Sequence, residues 1–400
     1  MGQKLSFSDI PTSAYIHIPF CRRRCFYCDF PIFVIGNTLR GETSLGIDQY
    51  VKILCQEINI TPVYGQIHSQ KLNTIFFGGG TPSLLSTFQI QQIIEALDKR
   101  FGIASGAEIS MEMDPGTFDF VHIQGYKNNG VNRVSLGVQA FQDKLLEACG
   151  RTHRVTDIFA AVELLTQVGV PEFSLDLISG LPHQTLEMWS DSLASAISLS
   201  PTHISIYDLT IEPGTAFGRY YKPGDRPLPT DESTVAMYKM GQKILTRARY
   251  DHYEISNYAL PGHQCRHNRV YWENRPYYGF GMGAASYVEG KRFSRPRKTV
   301  EYYNWVEDLI KNDGSINHPV TEGKDILLET LMLGLRLAEG LDLSIFIDQF
   351  GEEIWEKVWK YLQPYSEKKW VEVKDGRVRL TDPEGFLFSN VVLGKLFQEL

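Results

Sequence analysis

Short apolar runs alternate with amphipathic stretches through the first half of the chain. The runs are Ala14–Phe20, Asn73–Phe77, Glu108–Asp114, Asn132–Gln139, Glu172–Ser179 and His203–Leu209. Between them the spacing predicts helices over Ile47–Ile60, Thr87–Arg100, Thr156–Val168 and Leu186–Leu199, plus a short one before Asn132. In the first helix Tyr50, Ile53, Leu54 and Ile58 fall on one face. Six such β-then-α units in succession imply a parallel sheet with right-handed crossovers.

The faces of the runs choose between an open doubly wound sheet and a barrel. Ile109, Met111 and Met113 share one face of the third run, and Ser110, Glu112 and Asp114 the other. Val134, Leu136 and Val138 oppose Ser135, Gly137 and Gln139; Phe173, Leu175 and Leu177 oppose Ser174 and Asp176. A doubly wound sheet, covered by helices on both sides, would be apolar on both. One apolar and one small or polar face instead predicts strands curved into a barrel with helices outside and a polar lumen. Closed eight-stranded barrels fill that lumen with bulky branched side chains. Small inward residues on only six units predict an α/β fold with a wider, incomplete (β/α)6 barrel that holds a ligand. A polar face simply turned to water is the plainer alternative.

Beyond Leu209 the pattern changes. Residues 212–230 are rich in Pro, Gly and Tyr and read as a long loop or lid. A helix is predicted over Asp231–Arg249 with Thr230 as its cap, then a strand at Tyr253–Tyr258 and the run HNRVYW at His267–Trp272. Gly279–Val288 is glycine-rich but outside any βαβ context, a weak basis for a dinucleotide site. Lys291, Arg292, Arg295, Arg297 and Lys298 crowd together, as a solvated loop or as a grip on carboxylates. From Val300 the chain reads as helical, ending in a hairpin of Trp370–Lys374 and Arg377–Leu380 around Asp375–Gly376. Three regions result: residues 1–230, the barrel; 231–299, an extension carrying HNRVYW; and 300–400, a C-terminal helical, winged-helix-like accessory domain.

Composition narrows the classes. The 400 residues are 43% hydrophobic and 22% charged, as in an ordinary globular protein. The net charge of −7 argues against a nucleic-acid partner. Six scattered cysteines do not make a disulfide framework, which suits a reducing, cytoplasmic location. The first fifteen residues lack a signal peptide's apolar core, and no run is long enough to span a membrane, which leaves peripheral contact open.

The densest chemistry is Cys21, Cys25 and Cys28, directly after the first strand. A closed zinc site normally takes four protein ligands. Three thiolates suit a [4Fe–4S] cluster with one iron open to an outside ligand, since ordinary clusters use four cysteines; zinc with a remote fourth ligand is the alternative. In a parallel barrel, ligands sit at the carboxyl ends of the strands. There stand the GGGTP turn after the second strand and Glu112, Gln139 and Asp176 at the ends of the next three, with Arg151 shortly after the fourth. One polar group per strand end is the layout for a bound polar small molecule.

The CxxxCxxC loop with GGGTP resembles the radical S-adenosylmethionine (SAM) superfamily. YIHIPFCRRRCFYCDF, FFGGGTPS, EMDPG, RVSLGVQAF, GRTH and SLDLISGLPHQT bring the first half of the chain close to the oxygen-independent coproporphyrinogen III oxidase branch. The resemblance implies that Cys21, Cys25 and Cys28 ligate three irons while the fourth chelates SAM. It further implies that backbone N–H groups of Gly79, Gly80 and Thr81 approach the methionyl part and that Glu112 accepts from the ammonium. Arg151 would pair with the carboxylate, Asp176 would bind the ribose, and Tyr15, Tyr27 and Gln139 would complete the SAM set. Oxidases of this branch carry a further cysteine two residues after the third; here that place is Phe30. HNRVYW instead resembles the HNxxYW motif of the HemW haem-chaperone group, which implies haem ligation by His267, with Cys265 as an auxiliary candidate. Imidazole is a normal axial ligand of haem iron. The implied function is binding haem and delivering it to haem-requiring, respiratory apoproteins, with a flavodoxin- or ferredoxin-type reductant. Coproporphyrinogen oxidase activity, by radical decarboxylation of two propionates, is the second reading, and a zinc-stabilised barrel the third. No catalytic residue is assigned.

Overall fold

The computed structural model describes residues 10–37, 40–64, 70–316 and 318–400. Residues 1–9, most of the stretch read for a signal peptide, lie outside the described residues.

The six predicted strands form as β1 (Ser13–Ile18), β2 (Leu72–Gly79), β3 (Ile103–Met113), β4 (Arg133–Gln139), β5 (Glu172–Ser179) and β6 (His203–Asp208). They lie side by side in that order, all parallel. Helices α1 (Leu45–Ile60), α2 (Thr87–Phe101), α3 (Phe120–Asn128), α4 (Asp143–Ala148), α5 (Val155–Val168) and α6 (Leu186–Ser198) fill the crossovers. Local chemistry sets their ends. Ser86 and Gln89 form a capping box at the start of α2, and Gly169 takes the left-handed conformation that closes α5. Ile16, Ile75, Met111, Leu136, Leu175 and Ile204, all 0% exposed, form the apolar core under the helices.

The strand register lays the opposite face out in rows. Tyr15, Phe76, Ser110, Arg133 and Glu172 are successive partners across β1 to β5, and Glu112, Ser135, Ser174 and His203 across β3 to β6. All of these but Glu172 line a lumen, as the alternation predicted.

Four departures from the sequence reading have identifiable causes. First, β1 stops at Ile18, where Pro19 removes a donor; Phe20–Cys21 leaves the sheet and pairs with Phe33–Val34. Second, the sheet is wider than six strands. After α7 (Ala216–Tyr220) and α8 (Asp231–Arg247), the expected strand at Tyr253–Tyr258 is a hairpin of β7 (Asp251–Glu254) and β8 (Asn257–Ala259) that adds antiparallel to β6. Third, helix α9 (Arg266–Trp272) is followed by β9 (Tyr278–Phe280), which lies parallel to β1 on the other edge. Gly279 is required there, since a Cβ would stand 1.8 Å from the Ala285 carbonyl oxygen. A three-residue strand built on glycine carries too little alternation to be read. The order β9-β1-β2-β3-β4-β5-β6-β8-β7 does not return on itself among the described residues, so the barrel is open.

Fourth, the basic stretch is a solvated loop only at its end, where Arg297 and Lys298 are exposed. It forms β11 (Lys291–Ser294), paired with β10 (Ala285–Val288), and continues to Arg295, which is 2% exposed and binds Glu57 at 2.8 Å. Glu57 also accepts from Gly281 N–H at 2.9 Å and Tyr302 O–H at 2.6 Å. Its grip is on the chain's own carboxylate. The pair ties α1, the β9 turn and α10 (Thr299–Lys311) together, and Tyr302 and Val306 of α10 sit in the barrel core.

A second core gathers Leu331, Val358, Leu362, Val378, Phe386 and Leu396. It lies among α11 (Gly323–Gly334), α12 (Leu343–Phe350), α13 (Glu352–Glu367), α14 (Glu384–Leu387) and α15 (Ser389–Glu399). The hairpin forms as β13 (Val371–Lys374) and β14 (Arg377–Leu380), and β12 (Leu341–Asp342) joins it. Positive φ at both Asp375 and Gly376 suits the tight turn that the D-G pair predicted.

Candidate functional site

The three-cysteine loop caps the carboxyl end of the sheet. Arg24 holds it from within, donating to the carbonyls of Cys28 (3.3 Å), Phe30 (3.1 Å) and Ile32 (3.1 Å). The segment read as a lid supports it from outside: Phe217 of α7 is buried beside Phe26 and Tyr27, and its N–H donates to the Phe26 carbonyl at 2.8 Å. Thr81 Oγ1 stands 3.6 Å from Cys21 Sγ, and Arg151 Nη1 3.5 Å from Cys25 Sγ. Burial pushes the Cys21 thiol up to about 12 and also raises that of Cys28, so iron binding has to displace thiol protons. All three are free thiols. Among the described residues no three His, Cys, Asp or Glu side chains converge on a single ion. Three thiols on one loop stand beside the Arg151 guanidinium.

Below the loop, the predicted residues come together at the mouth of the lumen, but several are already engaged. The Gly79 N–H donates to Glu112 Oε2 at 2.9 Å, Gly80 N–H to the Ile18 carbonyl at 2.8 Å and Thr81 N–H to the Phe20 carbonyl at 2.7 Å. The three donors expected to meet SAM therefore stitch the turn to β1 and β3. What glycine supplies is close approach: a Cβ on Gly79, whose φ is +110°, would stand 2.4 Å from the His17 ring. Arg151 is likewise not a free cation; it forks onto Asp114 and onto the Gly137 carbonyl at 3.0 Å. Asp176 accepts from Ser135 at 2.8 and 2.9 Å and from Ser174 at 3.2 Å. Burial raises its pKa against those bonds. Burial raises Glu112 to about 8, opposed by the Gly79 N–H and reinforced by Asp176 and Asp114. Gln139 ends β4 in the left-handed region at φ 68°, at a register shift that turns the chain toward the mouth. Tyr27 stays in the cysteine loop, half-buried against Phe217.

Two residues that sequence reasoning passed over belong here. Asp114 receives both Arg151 and Thr81 Oγ1 (3.3 Å), and it was visible in the EMDPG run. His17 sits under the Gly79 turn, with Nε2 3.1 Å from the Pro31 carbonyl and Nδ1 3.1 Å from Tyr15 Oη. The carbonyl can only accept, so Nε2 carries the proton and Nδ1 accepts from Tyr15. Burial lowers its pKa to about 4, keeping it neutral.

The lumen itself is a cavity of about 190 Å³ and mixed character, lined by residues such as Tyr15, Phe76, Glu112, Asp176, Asn268 and Tyr271. Ser110 Oγ, buried in its wall, has no partner there. Helix α9 closes the end away from the cysteines. Glu108 caps it, accepting from the N–H groups of Arg266 and His267 at 3.0 Å each and from Cys265 Sγ at 3.6 Å. Cys265 is thus held as a neutral thiol inside the floor, not offered as a ligand. His267 is 0% exposed. Its Nδ1 bonds Thr74 Oγ1 and its Nε2 bonds Tyr271 Oη, each at 2.8 Å, while its ring stacks on Phe76. Burial lowers its pKa to about 3. In this arrangement neither nitrogen is available to an iron, against the axial role expected from HNRVYW.

Residues 15–196 match the family model of the radical SAM superfamily, and residues 322–388 that of the HemN C-terminal domain. The solved structure of coproporphyrinogen III oxidase (HemN) from Escherichia coli, titled a radical SAM enzyme, superposes with a TM-score of 0.80 over 97% of this chain and 91% of that one. At 23% identity it shows the shared fold alone. The class is therefore a radical SAM protein with a HemN-type accessory domain. Sequence identity goes further. The chain is 47% identical to heme chaperone HemW of Synechocystis sp., over 98% of this chain and 97% of that protein. It is 36% identical to heme chaperone HemW of Bacillus subtilis, over 97% and 100%. The chain belongs to the HemW family.

Proposed function

We propose that this chain is a haem chaperone that binds haem and passes it to haem-requiring apoproteins in the cytoplasm, respiratory ones included. Cys21, Cys25 and Cys28 hold a [4Fe–4S] cluster whose open iron takes SAM. In this superfamily the bound pair supplies electron transfer into SAM, with a flavodoxin- or ferredoxin-type donor upstream. Around it Gly79, Gly80 and Thr81 shape the turn, and Glu112 orients the ammonium. Arg151 meets the carboxylate while still anchored on Asp114; Asp176 receives the ribose, with Tyr15, Tyr27 and Gln139 beside it. His267 is the proposed axial ligand, reached only when its Nε2 exchanges Tyr271 for iron.

One observation favours delivery over porphyrinogen decarboxylation. Sites that bury a drug-sized ligand span roughly 300–1,000 Å³; the lumen has about 190 Å³. The lumen, which does not include the mouth around Cys25, Thr81 and Arg151, supplies the ribose end of the SAM site and is too small to seat a tetrapyrrole as well. Phe30, standing where the oxidases carry a cysteine, points the same way.

The test pairs two measurements on anaerobically reconstituted protein. Hemin titration of wild type and His267→Ala should show stoichiometric binding that the variant weakens. An assay on coproporphyrinogen III with SAM and reductant should show no turnover. Turnover without hemin binding would replace this reading with the oxidase one.

A further inference from the structure

A cavity larger than the lumen lies elsewhere among the described residues. A cleft of about 590 Å³ opens on the other side of the HNRVYW helix, between Trp272–Pro276 and the accessory domain. The aromatic pair Tyr271 and Tyr277, with ring centroids 4.7 Å apart, stands between lumen and cleft, since Tyr271 lines the first and Tyr277 pairs by backbone with Tyr287 in the wall of the second. The cleft walls are more apolar than polar. Two of their side chains, Val320 at 62% and Ile345 at 65% exposure, present bare aliphatic surface to solvent. Trp272, the last residue of the motif, adds a flat ring.

Size and character point to one kind of occupant. The volume falls inside the range of pockets that bury a whole organic ligand, where the lumen does not. A planar amphiphile with two carboxylates needs apolar walls for its faces and cations at its edge. Arg275 and Arg377 stand at the rim. Arg275 is 45% exposed and anchored by Glu273 at 2.8 Å, and Arg377 is steadied by the Glu339 and Gly340 carbonyls at 2.8 Å each. Arg377 also pairs with Asp342 at 3.2 Å, and Glu273, Glu289, Glu339 and Asp342 all border the cleft, so apolar contact, not net charge, has to supply the affinity.

Resting on the haem-chaperone reading, we propose that this cleft is where the haem macrocycle docks, its faces against Trp272, Val320 and Ile345 and its propionates toward Arg275 and Arg377. No His, Cys or Met is among the described residues that line it. The ring is thus held by its faces, without an imidazole, thiolate or thioether ligand from the cleft itself. That is the property a carrier needs, because a cargo gripped by area and rim charge can be surrendered to an apoprotein that offers better ligands. A ring docked in the cleft is not ligated by His267, whose Nε2 is bonded to Tyr271 on the lumen side; the cleft and His267 are two successive positions for the same cargo.

The experiment titrates hemin into cluster-loaded wild type, Trp272→Ala, Ile345→Asp and, as a control outside the cleft, Val373→Asp, which is also exposed. Iron and sulfide content and thermal melting establish that each variant is folded and loaded. Losing the indole face, or facing the ring with a carboxylate, should raise Kd by about ten-fold or more, the equivalent of one aromatic contact. The control should stay within two-fold, a window of about 0.4 kcal/mol. Wild-type affinity in both cleft variants would overturn the cleft assignment. Absence of hemin binding by wild type would instead overturn the haem reading on which it rests.

Discussion

The two ends of the lumen use similar residue types to opposite effect. At the mouth, Cys21, Cys25, Cys28 and Glu112 are only partly covered, and their local partners leave chemistry to be done. At the floor, Glu108, Cys265 and His267 are buried and bonded to one another's surroundings until little valence remains. A cysteine at one end belongs to a candidate cluster; a cysteine at the other donates to a cap. Residue type does not separate the two roles; remaining hydrogen-bonding capacity does.

That contrast predicts opposite phenotypes, and the largest effect is at the mouth. Cys25→Ala should abolish iron and sulfide incorporation after anaerobic reconstitution. It should move the unfolding free energy of the cluster-free protein by only about 0.5 kcal/mol, as expected of a partly exposed loop residue. His267→Ala should do the reverse, leaving iron content at the wild-type level and costing about 2–4 kcal/mol. It removes a buried ring, its stacking and two hydrogen bonds. Denaturant unfolding beside iron analysis reads both. A His267→Ala protein that loses iron but keeps its stability would dissolve the division between the ends.

The ends also titrate in opposite senses. His267 is neutral in the fold, with its pKa lowered to about 3 from 6.5. Below pH 6.5 the unfolded chain binds a proton that the folded one refuses, so stability falls as the medium is acidified. From pH 6.5 to 5 the loss is about 2 kcal/mol for this one group. Glu112 runs the other way: its pKa is raised from 4.5 to about 8, so its contribution is complete below pH 4.5 and lost as pH rises through about 8. Unfolding of the cluster-free protein across this range should show Glu112→Gln flattening the alkaline limb and His267→Ala the acid one. If either variant flattens the other's limb, the burial assigned to that end is wrong.

The same contrast marks what the sequence could disclose. Alternation in β3, β4 and β5 was enough to predict which face was polar, because period two survives any tertiary context. The cysteine spacing was enough for the mouth, because three ligands on one loop are a local fact. Partnership across the sheet is not local. That Arg151 is held by Asp114, or that His17 fills the space over Gly79, depends on strand register and on glycine letting two backbones approach. Spacing carries neither. HNRVYW has the same limit: its spacing does not disclose its partners, and only the packing of α9 under β2 and β3 shows His267 turned onto Thr74 and Phe76. The width of the sheet was hidden for a different cause, since β9 has three residues and little hydrophobic period to detect.

Tyr271→Phe gives the smallest effect and the sharpest division. The hydroxyl it removes is the partner of His267 Nε2. A neutral imidazole donates from one nitrogen and accepts at the other. With Thr74 retained, the variant leaves one buried ring nitrogen unsatisfied, a cost of about 1–2 kcal/mol without haem. If the floor is purely structural, that destabilisation is the whole phenotype, and hemin affinity stays at the wild-type value. If His267 is the iron ligand, the exchange that wild type must make has already been half made. Hemin should then bind tighter, by up to about ten-fold if the whole cost is recovered on ligation. Denaturant unfolding and hemin titration on the same preparation separate the two outcomes. Weaker stability with tighter hemin assigns the floor a part in delivery; weaker stability alone confines function to the mouth and the cleft.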